Sequence, residues 1–153
     1  MANTYSRIYI HIVFVVKGRL NLIAEKNREE LQKYITGIVS NRGQKLIAIY
    51  CMPDHTHVFV GLKPIINISD LTRDIKAGAS KFINDNKWIA SKFSWQEGFG
   101  AFSHSNDRVS IVANYINNQK EHHARKTFKE EYLQLLKESD VEYDEKYLFD
   151  WID

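Results

Sequence analysis

What most constrains this chain is the order in which its hydrophobic pattern changes period. Arg7 to Val16 (RIYIHIVFVV) is dense in β-branched and aromatic residues, too short for a buried helix and free of glycine and proline, so it reads as a central strand. From Glu25 to Asn41 the apolar residues Leu31, Tyr34, Ile35, Ile38 and Val39 take i, i+3, i+4, i+7, i+8 spacing, one stripe of a helix, with Gly43 beyond its end. Lys45 to Met52 and His55 to Leu62 return to strand character and, joined at Pro53-Asp54, should pair antiparallel. Ser69 is placed to cap a second helix that turns Ile68, Leu71, Ile75, Ala79, Phe82 and Ile83 inward and leaves Arg73, Lys76 and Lys81 more exposed. Gly98 to Ser103 is short, aromatic and glycine-flanked, a fourth strand. Strand, helix, strand, strand, helix, strand is the split βαβ, or ferredoxin-like βαββαβ, arrangement. The expected fold is therefore α+β, a four-stranded antiparallel sheet with helices on one face and the other face free, followed by C-terminal helices.

The segment after the fourth strand has two possible places. Asp107 to His123 carries an apolar stripe of Val109, Val112, Ala113 and Ile116, and could cover the free face or reach across to a second subunit. Thr127 to Glu130 is a capping box that starts a last helix through Glu138, and Tyr147, Phe149 and Trp151 offer an aromatic anchor beyond it. A length of 153 residues with 44% hydrophobic content fits one domain, residues 1–126 as the main body and 127–153 as an acidic helical extension of it. The formal charge of +2 hides a split: residues 1–126 hold 18 Lys+Arg against 10 Asp+Glu (+8), and 127–153 hold 3 against 9 (−6). A basic body is compatible with phosphate-backbone binding, since the acidic tail need not lie near the ligand surface, and equally with ordinary solvated faces. One cysteine, Cys51, excludes a disulfide framework. The longest apolar run, Ile8 to Val16, is too short for a membrane span and lacks the flanks of a signal peptide, which points to a cytoplasmic protein without a membrane partner.

Two groups of residues carry chemistry. In His55-Thr56-His57 the histidines are i and i+2 on a strand, so both imidazoles point to one face about 7 Å apart and can converge on a metal ion; the plainer alternative is a pair of half-buried ring histidines. On the helix from Asp107, Tyr115 and Gln119 are one turn apart, and with His122 they make a polar strip beside the apolar stripe, where a helix presents groups to a cleft. Tyr115 considered alone could equally be an amphipathic boundary residue.

The pieces in order are His11-Ile12-Val13-Phe14, Met52-Pro53-Asp54-His55-Thr56-His57, Ile68-Ser69-Asp70-Leu71 with Ile75-Lys76, and Tyr115-Ile116-Asn117-Asn118-Gln119. Over Tyr5 to His123 this set resembles the single-tyrosine HUH transposases of small bacterial insertion sequences, the TnpA type. Thr56 departs from the hydrophobic residue usual between the histidines, on the side facing away from a metal. The resemblance implies that residues 1–126 are a catalytic domain that cuts and rejoins single-stranded DNA at transposon-end hairpins through a 5′-phosphotyrosine on Tyr115. It also implies a Mg²⁺ or Mn²⁺ held by His55, His57 and Gln119, no nucleotide cofactor, and a homodimer in which the histidines of one subunit meet Tyr115 of the other. Neutral ligands leave the ion most of its charge for polarising a phosphate, whereas a structural zinc would need a fourth ligand such as Cys51 or His104. Lys17, Arg19 and Lys76 are candidates for holding the hairpin backbone. The alternatives are a non-catalytic binder of hairpin or single-stranded nucleic acid and a domesticated relative acting on chromosomal repeats. For the binder, Gly98-Phe99-Gly100-Ala101-Phe102 is only a partial echo of the RNA-recognition motif.

Overall fold

The computed structural model describes residues 4–144 and 148, so the expected anchor at Tyr147, Phe149 and Trp151 lies outside the described residues. Four strands, β1 (Ile8–Val15), β2 (Lys45–Cys51), β3 (His55–Leu62) and β4 (Gly100–His104), form one antiparallel sheet in the order β2-β3-β1-β4. The expected pairing of β2 with β3 holds, closed at Pro53-Asp54 by Met52 N–H donating to the His55 carbonyl. In the centre, β1 lies between β3 and β4, with Val13 opposite His57 and Val15 opposite His55.

Alternation along β1 and β3 separates two interiors. Ile10, Ile12 and Phe14 of β1 and Val58 and Val60 of β3 face α1 (Arg28–Asn41) and α2 (Ile68–Asp85), which supply Leu31, Ile35, Val39, Leu71, Ile75 and Ala79 to a wholly apolar core. This layer follows the hydrophobic spacing closely. One boundary differs: α2 is capped by Asn67, whose side chain accepts from Asp70 N–H at 3.2 Å, and Ser69 lies inside the first turn.

The other face is covered rather than free. After β4 come α3 (Val109–Asn117), α4 (Gln119–His123) and α5 (Phe128–Glu138). On this face Val112 and Ile116 of α3 pack on Ala48 and Phe59, while Phe128, Tyr132 and Leu136 of α5 pack on Val13, Val15 and Phe102. The expected single helix from Asp107 to His123 is broken at Asn118 (φ −105°, ψ 26°), which ends α3 and starts α4. Two consecutive asparagines, Asn117 and Asn118, favour such a break because their side chains compete for local backbone groups. The break lets the chain turn, and the capping box then starts α5 as expected, Thr127 Oγ1 accepting from Glu130 N–H at 3.2 Å. Among the described residues no helix is long and apolar enough to cross a membrane.

Candidate active site

His55 and His57 fall on the face of β3 that α3–α5 cover, and both are fully buried, 1% and 0% exposed. Their outer nitrogens are fixed by hydrogen bonds. Asp54 Oδ1 lies 2.7 Å from His55 Nδ1, and Arg19 Nε holds the other Asp54 oxygen at 3.1 Å. His11 Nε2 lies 2.8 Å from His57 Nδ1, the two rings stacked with centroids 5.0 Å apart. Each histidine is thereby left with Nε2 aimed into the space under α4 and α5. A ring nitrogen fixed through its other side is the usual preparation of an imidazole for a metal.

That space is shared with residues from helices that meet only in the folded chain. His55, His57, His123 and Glu131 each present a donor atom, all within 4.8 Å of one another. Glu131 Oε1 is 3.2 Å from His57 Nε2, 3.3 Å from His123 Nε2 and 3.8 Å from His55 Nε2. Its second oxygen, Oε2, accepts from the Tyr115 hydroxyl and from Gln119 Nε2 at 3.1 Å. One buried carboxylate thus links the histidines to the tyrosine. The Tyr115 ring stands edge-on to His57, centroids 6.4 Å apart.

The electrostatics are those of a buried, polar pocket. Burial pushes His55 down to about 4, against the upward pull of Asp54, so the ring is neutral at neutral pH, the form that binds a cation. His11 is driven well below its ordinary value by burial and by His57 beside it. Burial raises the Glu131 carboxyl, but His57 and the hydrogen bond from His123 outweigh it and keep the group ionised. Tyr115 is shifted upward by burial and by the Glu131 charge, which keeps the phenol protonated.

The buried atoms His55 Nε2, His57 Nε2 and Gln119 Oε1 make no well-aligned hydrogen bond, the two ring nitrogens standing 3.8 and 3.2 Å from Glu131 Oε1. Unpaired buried polar atoms are costly, and two ring nitrogens facing one carboxylate oxygen fit a site whose polar atoms are completed by a cation. Three imidazoles and a carboxylate form an N₃O donor set suited to a divalent transition ion.

The sequence-derived candidates fall in different places. His55, His57, Tyr115 and Gln119 are gathered in this pocket by one chain, so the histidines need no partner subunit to meet a tyrosine. Arg19 is buried behind Asp54 as part of the support of His55. Lys76 is on α2, on the far face of the sheet, its ammonium donating to the carbonyls of Gln96 at 2.8 Å and Gly98 at 3.0 Å. Lys17 is exposed just past the end of β1, at the end of the sheet where β3 begins. Sequence reasoning missed His123 and Glu131, and gave no site role to Asp54 and His11, which stand in the pieces that carry the resemblance. Asp54 and His11 adjoin or pair with the histidines and could have been found from strand register. Glu131 could not, because its approach depends on the turn after Asn118. The acidic extension, which the sequence did not require to lie near the ligand surface, places the Glu131 carboxylate at the centre of the pocket.

The chain matches the family model described as "Transposase IS200 like" over residues 4–119. No curated protein sequence matches it significantly. Among solved structures it is similar to a protein assigned as a transposase from Deinococcus radiodurans R1, at 19% identity over 76% of this chain and 94% of that one, TM-score 0.61. It is also similar to a REP-associated tyrosine transposase bound to a REP hairpin, at 16% identity over 99% of this chain and 89% of that one, TM-score 0.61. At these identities the likeness is one of fold. His123 and Glu131 lie beyond the residues that match the family.

Proposed function

The chain belongs to the IS200-like transposase family, and from that premise we propose that it cuts and rejoins hairpin-bearing single-stranded DNA with Tyr115 as nucleophile. The observation that supports this most directly is the meeting of the Tyr115 hydroxyl and the unsatisfied nitrogens of His55 and His57 at one carboxylate. In the step, Tyr115 Oη bonds to phosphorus, the bond from phosphorus to the 3′ oxygen breaks, and the phenol proton leaves the tyrosine while the 3′ oxygen takes one up as a hydroxyl. A 5′-phosphotyrosine stores the bond for reversal, so no nucleotide cofactor is required.

Each side chain has a part in that step. Glu131 Oε2 orients the phenol by accepting its hydrogen, and Gln119 Nε2 steadies the same oxygen. His55, His57, His123 and Glu131 Oε1 would hold the divalent ion, Mn²⁺ fitting an imidazole-rich set better than Mg²⁺, with Gln119 Oε1 within the same pocket. Such an ion polarises the phosphate and offsets developing charge. His55, His57, Gln119 and Glu131 are buried beneath these helices, where weaker solvation strengthens charge interactions.

A hairpin-ended single strand is the proposed substrate because a solved neighbour of this fold holds a REP hairpin. Two ends to join still suggest a homodimer, but the geometry supports subunits that each use their own tyrosine. The test is a denaturing gel of wild type and Tyr115→Phe with hairpin-bearing single-stranded DNA. A protein–DNA adduct present in wild type and absent in the variant is expected; an adduct of equal yield in Tyr115→Phe would overturn the assignment. Mixing Tyr115→Phe with His57→Ala in confirmed mixed dimers should give no adduct, whereas restored activity would show sites shared between chains.

A further inference from the structure

The three cations chosen from sequence do not account for how a strand would be held at Tyr115. Arg19 and Lys76 are occupied within the fold, and Lys17 stands just past the end of the central strand β1. Beside Tyr115, however, a cleft of about 370 Å³ opens between α3, α4 and α5. Arg108 at the start of α3 and Arg125 and Lys126 just past α4 line it, and none of the three has an ion pair among the described residues. Its apolar lining includes Leu135 and Ile111, the latter 52% exposed. The His122 ring leans on Tyr115 at the inner end, centroids 4.7 Å apart.

We infer that this cleft is the track of the single strand being cut, Arg108, Arg125 and Lys126 holding its phosphates while Ile111, Leu135 and His122 take the faces of bases. The inference rests on the proposed function, since it places substrate at Tyr115. Unpaired cations around apolar and aromatic surface match a strand whose charge lies on the backbone and whose bases are unstacked, more closely than a small anion, which has no use for the apolar lining. Glu131 at the inner end and Glu138, both on α5 and in the lining, oppose a phosphate at their own positions, so the cations on the α3 and α4 sides bear the contacts. Duplex DNA presents no free base faces to such a slot, and the cleft should prefer single strands.

Binding of a fluorescent single-stranded oligonucleotide without a hairpin, measured by anisotropy from 50 to 300 mM salt in chelator, tests this in the full-length chain. The triple variant Arg108→Gln, Arg125→Gln, Lys126→Gln should lose affinity and flatten the log–log salt slope by about 2, at roughly 0.7 per phosphate contact. A control triple at remote exposed lysines, Lys45→Gln, Lys63→Gln, Lys92→Gln, removes the same charge and should leave the slope within about 0.5 of wild type. Equal flattening in both triples would show long-range charge only and overturn the cleft; so would an unchanged slope in the first triple with its thermal midpoint intact. The two readings separate cleanly. Normal slope loss with no adduct at Tyr115 in wild type would keep the cleft and defeat the transposase chemistry, and a normal adduct with no slope loss would do the reverse.

Discussion

The two faces of the sheet are made by the same strands and differ in what they do with polar atoms. Under α1 and α2, β1 contributes Ile10, Ile12 and Phe14 to an interior whose one ionisable group among the described residues is the Cys51 thiol, pushed up to about 12 by burial. Under α3 to α5 the intervening residue is His11, and β3 adds His55 and His57, so the interior holds imidazoles, a carboxylate and a phenol. The first face can be judged by packing alone. The second leaves acceptors unpaired, a structural cost that makes sense where a ligand completes the set. Period-two alternation is what allows one strand to serve both layers without either constraining the other's side chains.

The largest expected effect separates stability from chemistry. Phe14 is fully buried and meets Trp95 edge-on at 4.7 Å. Phe14→Ala should lower unfolding free energy by about 3–5 kcal/mol in urea titration, while leaving metal affinity of the folded fraction unchanged. A fall in that affinity alongside stability would show the two faces to be coupled.

Glu131→Gln acts on the opposite face and keeps side-chain volume. Losing the carboxylate should weaken Mn²⁺ binding about 100-fold by calorimetry, roughly 2.7 kcal/mol, and remove most of the increase in thermal midpoint that Mn²⁺ gives wild type. It should also bring the Tyr115 phenol down, since burial then acts without the Glu131 charge that adds to it; ultraviolet titration in metal-free protein, taken as the difference from a Tyr115→Phe background, reads this. Unaltered Mn²⁺ affinity would remove Glu131 from the ligand set and return that place to Gln119.

Asp54→Asn is a smaller change, one bond further out. The amide fixes the His55 ring less firmly, so Mn²⁺ affinity should fall about tenfold with oligonucleotide binding unaffected. A parallel loss of DNA binding would mean that the Arg19–Asp54 pair shapes the surface rather than the histidine.

The same contrast between faces explains what could be read from sequence. The apolar face was legible because its information is local: helix stripes at Leu31, Ile35 and Val39 and strand alternation through Ile10, Ile12 and Phe14 repeat a period that needs no knowledge of distant partners. His55-Thr56-His57 was legible for the same reason. His123 and Glu131 were not, because they reach the histidines through the break at Asn118 and the docking of α5, and neither event leaves a periodic trace. The helix propensity of 107–123 argued for continuity, and two adjacent asparagines were enough to end it. Arg19 and Lys76 were read as candidate contacts to the hairpin backbone because nothing local shows that Asp54 and the carbonyls of Gln96 and Gly98 engage them.

The smallest effect tests whether the two layers respond differently to equivalent insults at their tightest contacts. Each has one glycine against which a helix packs. A Cβ on Gly78 of α2 would stand 2.6 Å from Ile38 Cδ1 of α1, and one on Gly100 of β4 would stand 2.5 Å from the Tyr132 hydroxyl and 3.0 Å from its ring. Ile38 Cδ1 is the free end of a flexible chain and can rotate away, and alanine inside a helix gains about 0.5–1 kcal/mol over glycine, so Gly78→Ala should change stability by less than about 1 kcal/mol. Tyr132 is a rigid ring held between Phe102 and Phe128, with centroids 6.2 and 5.7 Å away, and cannot yield without moving α5. Overpacking there costs about 1–3 kcal/mol, and because Glu131 adjoins Tyr132 on the same helix, Gly100→Ala should weaken Mn²⁺ binding several-fold as well. Paired urea and calorimetric titrations of the two variants check this. If Gly100→Ala lowers stability yet leaves Mn²⁺ affinity at the wild-type value, α5 is a structural cover whose exact seat the metal pocket does not need.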